Sequence, residues 1–424
     1  MPEHPAPALS IGPTEPMLSR PTGRLSERLV LRLGLVLSAA FVAAALAAFA
    51  APSVALGHWA GTHLALAGAA LVAVGTFMPH FGATLSGSAP ERPAIRLAGV
   101  LSLATGSSIV VAGVVAALPG PALLGAGLLW GGLAVTAWAT LRPGRRSLAR
   151  RHPIAELAYG LALAEVAVGI GLPVLLLAGW EPASTAWVRL KPAHVWLNLF
   201  GFVSLTISAT LVYLYPTVLG ARIRAGRALA MMLVGAMAGP PLVAIGMIIA
   251  SQPVAIVGAA LAFAGAAGQL AYAVEVWRRR GRWTTDASWH RASIGHLSAA
   301  VGWYVASTAV AAIGIVRDGP AVPGWSLGAL LIPVLGGWAL QALVGSWTHL
   351  APAVAVTDPR RRANQRRTLG WASATRLVVW NGGVLAGWIG LGVGVLPLAA
   401  AGVAAFGAAA VLSVTLLAYA LLRT

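Results

Sequence analysis

RLKPAHVWLNLFGFVSLTISATLVYLY, residues 189–215, decides how this chain is read. From Pro192 to Tyr215 it holds no Asp, Glu, Lys or Arg, which is enough chain to cross a bilayer whose ~30 Å hydrocarbon core takes ~20 helical residues. Yet it opens on Pro-Ala-His, with Asn198 one turn deeper than His194. The membrane interior supplies no solvent for an imidazole, so His194 calls for a specific partner. Helical offsets of 4, 7 and 14 from His194 give Asn198, Gly201 and Ser208, which predicts one narrow stripe among Leu, Val, Ile and Phe. Such a stripe serves either close helix packing, with His and Asn bonding across the interface, or a ligand.

Composition widens that reading to the whole chain. Of 424 residues, 58% are hydrophobic and 9% charged, with mean hydropathy +0.82, whereas soluble domains carry about 25% charged residues. The chain therefore reads as an all-α polytopic membrane bundle. A net charge of +18 would suit nucleic acid if the basic residues shared one soluble face. Here they punctuate apolar spans instead, so no nucleic-acid partner is expected and the bilayer is the partner. The absence of cysteine excludes disulfides, thiolate metal sites and cysteine nucleophiles.

Residues 1–28, rich in Pro, Ser and Arg, read as a disordered cytoplasmic tail, and 29–424 as one membrane domain. The apolar run 29–51 is too long for a signal-peptide core and reads as a retained helix. Further spans are expected at about 59–81, 96–117, 121–141, 155–179, 193–217, 228–250, 253–276, 292–316, 326–350, 372–393 and 396–421. That makes twelve transmembrane helices. With the N-terminus inside, 25 of the 29 basic residues fall on inner segments, in clusters such as Arg142, Arg145 and Arg146 or Arg360, Arg361 and Arg362. The outer loops keep Arg189, Lys191 and Arg317. The positive-inside rule thus predicts twelve spans with both termini cytoplasmic. No six-plus-six or short-period repeat is evident.

Helix two carries His63 near its outer end and His80 at its inner end, about 25 Å apart along the axis, too far to share one metal. His63 and His194 are expected at similar depth, on helices that run in the same direction. Two such imidazoles suit haem or copper; they also arise by coincidence among nine histidines. His58 is a spare outer ligand. His80, His296 and His349 are expected at the inner boundary, in reach of water or lipid phosphate. Glu165 falls near the centre of helix five and reads as neutral and hydrogen-bonded, for example to Gln269, Gln341 or Asn381, or else as part of a proton path. Glu156, nine residues away, faces the other side, which argues against a continuous wire along that helix. Trp59 and other tryptophans at span ends read as interfacial anchors. No Walker, dinucleotide, GxSxG or HExxH motif occurs in a usable context.

PAHVWLNLFGFVSLTISATLVYLYPTVLGARI, together with His63 and Met78-Pro79, with GWALQALVGSWTHLAPAV, and with Asn364 and Trp380-Asn381-Gly382, resembles the haem-copper oxidase catalytic subunit. It looks closest to the membrane domain that accompanies bacterial multicopper oxidases and copper nitrite reductases. Nitric-oxide-response haem-copper membrane proteins are a second resemblance. The likeness covers residues 29–421 and implies a bacterial inner-membrane protein, His63 as a haem ligand and His194 as a copper ligand. It implies roles in electron transfer or nitrogen-oxide metabolism and a multicopper oxidase or other redox partner. The chain departs from that pattern where the oxidases carry a helix-seven histidine pair: Gly239-Pro240-Pro241 stands there. It has no histidine at 325–331 either, and His349 lies at the wrong end of its helix. A reduced or altered metal site is what the resemblance leaves, and whether the chain is an enzyme stays open. A proton-coupled transporter using Glu165 and a metal-free scaffold are the alternatives.

Overall fold

A computed structural model describes residues 26–51, 56–146, 153–223, 226–282, 287–319, 330–355 and 358–422, and these are helical apart from short turns. The long helices are α1 (Glu27–Ala50), α2 (Gly57–Ser86), α3 (Pro93–Val115), α4 (Pro119–Arg146), α5 (Pro153–Leu177) and α6 (Trp187–Leu219). They continue as α7 (Arg227–Ile248), α8 (Gln252–Arg278) and α9 (Ala287–Asp318). α10 joins a π-helix, Ile332–Ala339, to an α-helix, Leu340–Ala355; α11 is Ser373–Gly392 and α12 Leu396–Leu422. Short helices Glu181–Thr185 and Pro359–Gly370 precede α6 and α11.

Among the described residues ten helices, α1 to α9 and α12, are long and apolar enough to cross a membrane. The first begins before its expected start at 29. Ser26 caps α1 by accepting from the Leu29 amide, and Glu27 sits in the first turn, where a carboxylate favours the helix N-terminus. Glu27 and Arg28 thus belong to the helix and not to a tail; residues 1–25 lie outside the described part.

A repeat of another kind than the six-plus-six or short-period ones considered from the sequence is present in three hairpins. GVVAALPGPA (113–122), GMIIASQPVA (246–255) and GLGVGVLPLA (390–399) join α3 to α4, α7 to α8 and α11 to α12. Each turn has a left-handed residue at the same place: Ala117 (φ 56°), Ala250 (φ 55°) and Gly394 (φ 74°). The next amide then donates back to a glycine carbonyl, Leu118 to Gly113 (2.7 Å), Ser251 to Gly246 (2.7 Å) and Val395 to Gly390 (2.8 Å). This is the six-to-one closure of a helix C-terminus. Those same glycines let the returning helix approach at Ala122, Ala255 and Ala399, since a Cβ on any of them would collide with backbone. Further along, Gly106 meets Gly125, Gly235 meets Gly265, and Gly383 meets Gly402. Small residues of this kind permit the close backbone approach on which helix packing in lipid depends.

The helices that precede the hairpins share a second feature. α2, α6 and α10 each contain a π segment, at Leu64–Ala70, Trp196–Val203 and Ile332–Ala339. α6 and α2 are the most buried of the ten. The hairpins pack on themselves, and the π-bearing helices carry the polar interior.

Candidate cofactor site

His63 stands one residue before the π segment of α2, and His194 two residues before that of α6. π segments insert a residue into a helix, turn its faces and are frequent at functional sites. The two rings come together with centroids 6.4 Å apart and planes 18° from parallel. Shared depth, expected from the sequence, becomes adjacency.

Both rings are half-buried and held in the same way. His63 Nδ1 lies 2.8 Å from the Trp59 carbonyl oxygen, and His194 Nδ1 lies 2.7 Å from the Gly169 carbonyl oxygen on α5. A carbonyl only accepts, so each Nδ1 carries the proton and donates. Each Nε2 is then left with a lone pair, the state in which imidazole binds a metal, and the carbonyl bond fixes the tautomer. Trp59, expected as an interfacial anchor, stacks on His63 with ring centroids 4.0 Å apart. No sequence signal marked Gly169. Its Cβ position would fall on Asn198, whose Nδ2 donates to the His194 carbonyl at 2.6 Å. With the His194 Nδ1 protonated, the 3.1 Å approach of Asn198 Nδ2 to it sets two donors side by side.

The expected stripe is split by the π segment. Asn198 and Gly201 face α5, at Gly169 and Glu165, while Ser208 turns to α8 and donates to Gln269 Oε1 at 2.6 Å. The π-helix, which runs on through Phe202 and Val203 after Gly201, rotates the later face, which α-helical offsets miss.

Glu165 also departs from expectation. Gln269 is engaged by Ser208, Gln341 by His296 and Asn381 by Trp303. Neither Glu165 oxygen has a hydrogen-bond partner among the described residues. A Cβ on Gly201 would sit on Glu165 Oε2, so this glycine makes room for the carboxyl. Glu156 points elsewhere, to Gly144 on α4, in keeping with its opposite face.

His58 is exposed, its ring tilted against Phe49 at 6.2 Å. Among the described residues no three His, Asp or Glu side chains gather as metal ligands. His80 keeps its expected place at the other end of α2 and lies 3.0 Å from Glu27. His296 does not: it is 1% exposed, set edge-on to Trp380, because α9 starts at Ala287 and places it about 14 Å into the helix. His152 lies outside the described residues.

The chain matches no protein-family model and no curated protein.

Proposed function

We propose that this chain is a twelve-span membrane protein with both termini in the cytoplasm, akin to the haem-copper oxidase catalytic subunit. In this reading His63 and His194 hold one haem, for electron transfer or nitrogen-oxide and copper metabolism beside a multicopper oxidase or another redox partner. The observation that carries it is the geometry of the two imidazoles. The 6.4 Å separation of the rings and the two donating Nδ1 atoms leave neighbouring imidazoles, each with an Nε2 lone pair, and these two residues would hold one shared group. The resemblance assigns the two histidines to separate centres; their adjacency favours one shared group. Copper commonly takes three or more nitrogen or sulfur ligands, so two imidazoles favour haem over copper.

A haem held by these two imidazoles would supply one-electron transfer. The chain's own residues orient the rings: Trp59 by its carbonyl and its stack, Gly169 by its carbonyl, and Asn198 by securing the turn that carries His194. Gly239-Pro240-Pro241 in α7 offers no imidazole for a second centre, so no oxygen reduction of the complete oxidase kind is expected. A three-hairpin repeat also differs from the paired repeats common in secondary transporters, which weighs against the transporter alternative.

The test is the visible spectrum and metal content of the purified chain. A haem spectrum is expected, lost or changed in His63→Ala and in His194→Ala and unaltered in His290→Ala. A folded, colourless, metal-free protein overturns the reading in favour of the transporter or the scaffold, and robust oxygen consumption overturns the incomplete centre. Reporter fusions after Arg151 and after Arg367 should both report cytoplasm, and an outside signal at either breaks the twelve-span topology.

A further inference from the structure

α9 and α10 meet along a polar seam that runs from the middle of the bundle toward its arginine-rich end. At the middle, Tyr304 stacks on Trp338 at 4.5 Å, and Trp338 Nε1 donates to Ser204 of α6 at 2.9 Å. Glu165 lies beside this group, against Gly201 and within electrostatic reach of Tyr304. One turn along α10, the Gln341 amide meets His296 Nδ1 at 3.3 Å. Next Ser293 donates to the Gly345 carbonyl at 2.8 Å, and last Trp289 stacks on His349 at 5.1 Å beneath the guanidinium of Arg366. Trp338, Gln341, Gly345 and His349 follow the three-and-four spacing of a single helix face.

This seam holds buried polar atoms with no hydrogen-bond partner among the described residues. They are both oxygens of Glu165, Gln341 Oε1, His296 Nε2 and His349 Nδ1, while the Tyr304 hydroxyl lies beside Ser204. Glu165 is 6% exposed, and Tyr304, His296 and Gln341 at most 1%. An unsatisfied buried donor or acceptor costs about 1–3 kcal/mol, so such atoms are few in native proteins and are commonly served by internal water. Their alignment on one interface, ending on an acid, fits a path for a small species that both donates and accepts.

We propose that the seam between α9 and α10 is a proton route joining the arginine-rich end of the bundle to Glu165, with His296 as its relay. Water completes the route, because Tyr304 and His296 stand eight residues apart, about 12 Å along the helix. At His296 a proton arrives on one ring nitrogen while the other nitrogen releases its own, which leaves the ring neutral in its other tautomer. Gln341 serves both tautomers. Its NH2 donates to a bare Nδ1, and after an amide flip its Oε1 accepts from a protonated one. Arg376 of α11 is the charged group that faces His296, its guanidinium held by the carbonyls of Trp371 and Leu369 and by Ser413. Tyr304 is the titratable group that faces Glu165. An unpaired carboxylate in this setting is prohibitively costly, so Glu165 is the neutral acid at which the route ends. None of this rests on the imidazole pair.

Infrared spectroscopy of the full chain in lipid tests the route. The wild type should show a carboxylic-acid carbonyl band that is absent in Glu165→Gln and shifts in heavy water. His296→Gln, which keeps an amide beside Gln341 but has no second ring nitrogen, should retain the band and slow its exchange about tenfold or more. Tyr304→Phe, which keeps the stack on Trp338, should slow it too and serves if the histidine variant does not fold. No band assignable to Glu165, a band that does not exchange in the wild type, or exchange as fast in the folded variants overturns the proposal.

Discussion

The three glycine-packed hairpins and the three π-bearing helices draw on the same small and aliphatic residues, yet they use them in opposite ways. In the hairpins a glycine lets two backbones touch, as Gly246 does at Ala255, and the turn closes backbone to backbone, as Ser251 does to Gly246. At the paired histidines the glycines that matter face side chains: Gly169 of α5 yields to Asn198, and Gly201 of α6 yields to Glu165. The first arrangement stabilises; the second leaves room for chemistry. The threefold pattern is also incomplete, because His63 and His194 precede π segments in α2 and α6, whereas Leu331 precedes that of α10. Histidines just ahead of two of the three π segments build the site.

The comparison breaks most readily at a hairpin. A Cβ on Gly402 would collide with the Gly387 amide and the Gly383 carbonyl, neither of which can move without parting α11 from α12. Gly402→Val should therefore lower stability by about 3 kcal/mol or abolish folded yield. Gly407→Ala, on the same helix with open space around it, should change little. Thermal unfolding in detergent, followed by size-exclusion, reads both. Equal tolerance at the two positions means that the hairpin seam does not carry the packing assigned to it.

Much of this was legible in the sequence, and the failures have physical causes. The ten apolar spans follow from hydropathy, since each must hide its backbone within a helix of fixed length. The shared depth of His63 and His194 follows from residue count alone. The repeat is hidden because the hairpins agree in only a glycine, a left-handed position and an alanine, and Ala117 and Ala250 occupy turns where glycine is the usual signal. The π segments leave no compositional mark, so α-helical offsets put Ser208 on the wrong face. Glu165 defeats pairing by depth, because Gln269, Gln341 and Asn381 each have a nearer partner than the carboxyl.

A gentler change sharpens the contrast at the other kind of glycine. Gly201→Ala drives a methyl onto the Glu165 carboxyl, which must shift, at a cost of about 1–3 kcal/mol for overpacking. Unlike Gly402→Val, it should leave a folded protein and alter the Glu165 carbonyl band. A stability loss with an unchanged band would make Gly201 an ordinary packing glycine and erase the distinction between the two classes.

The smallest expected effect tests whether the three hairpins are the same turn. Ala117 and Ala250 hold the left-handed conformation that Gly394 holds in the third. An L-residue there costs about 1–2 kcal/mol, partly offset because glycine loses more freedom on folding, roughly 0.5–1 kcal/mol. The net difference is about 1 kcal/mol or less, with glycine favoured. Ala250→Gly should therefore raise the unfolding temperature slightly and Gly394→Ala should lower it by a similar amount, each with the turn retained. The paired signs carry the test. If Ala250→Gly destabilises while Gly394→Ala is harmless, the methyl of Ala250 makes a contact that its counterpart lacks. The turns would then differ in what holds them, and the threefold equivalence would be one of backbone shape without shared energetics.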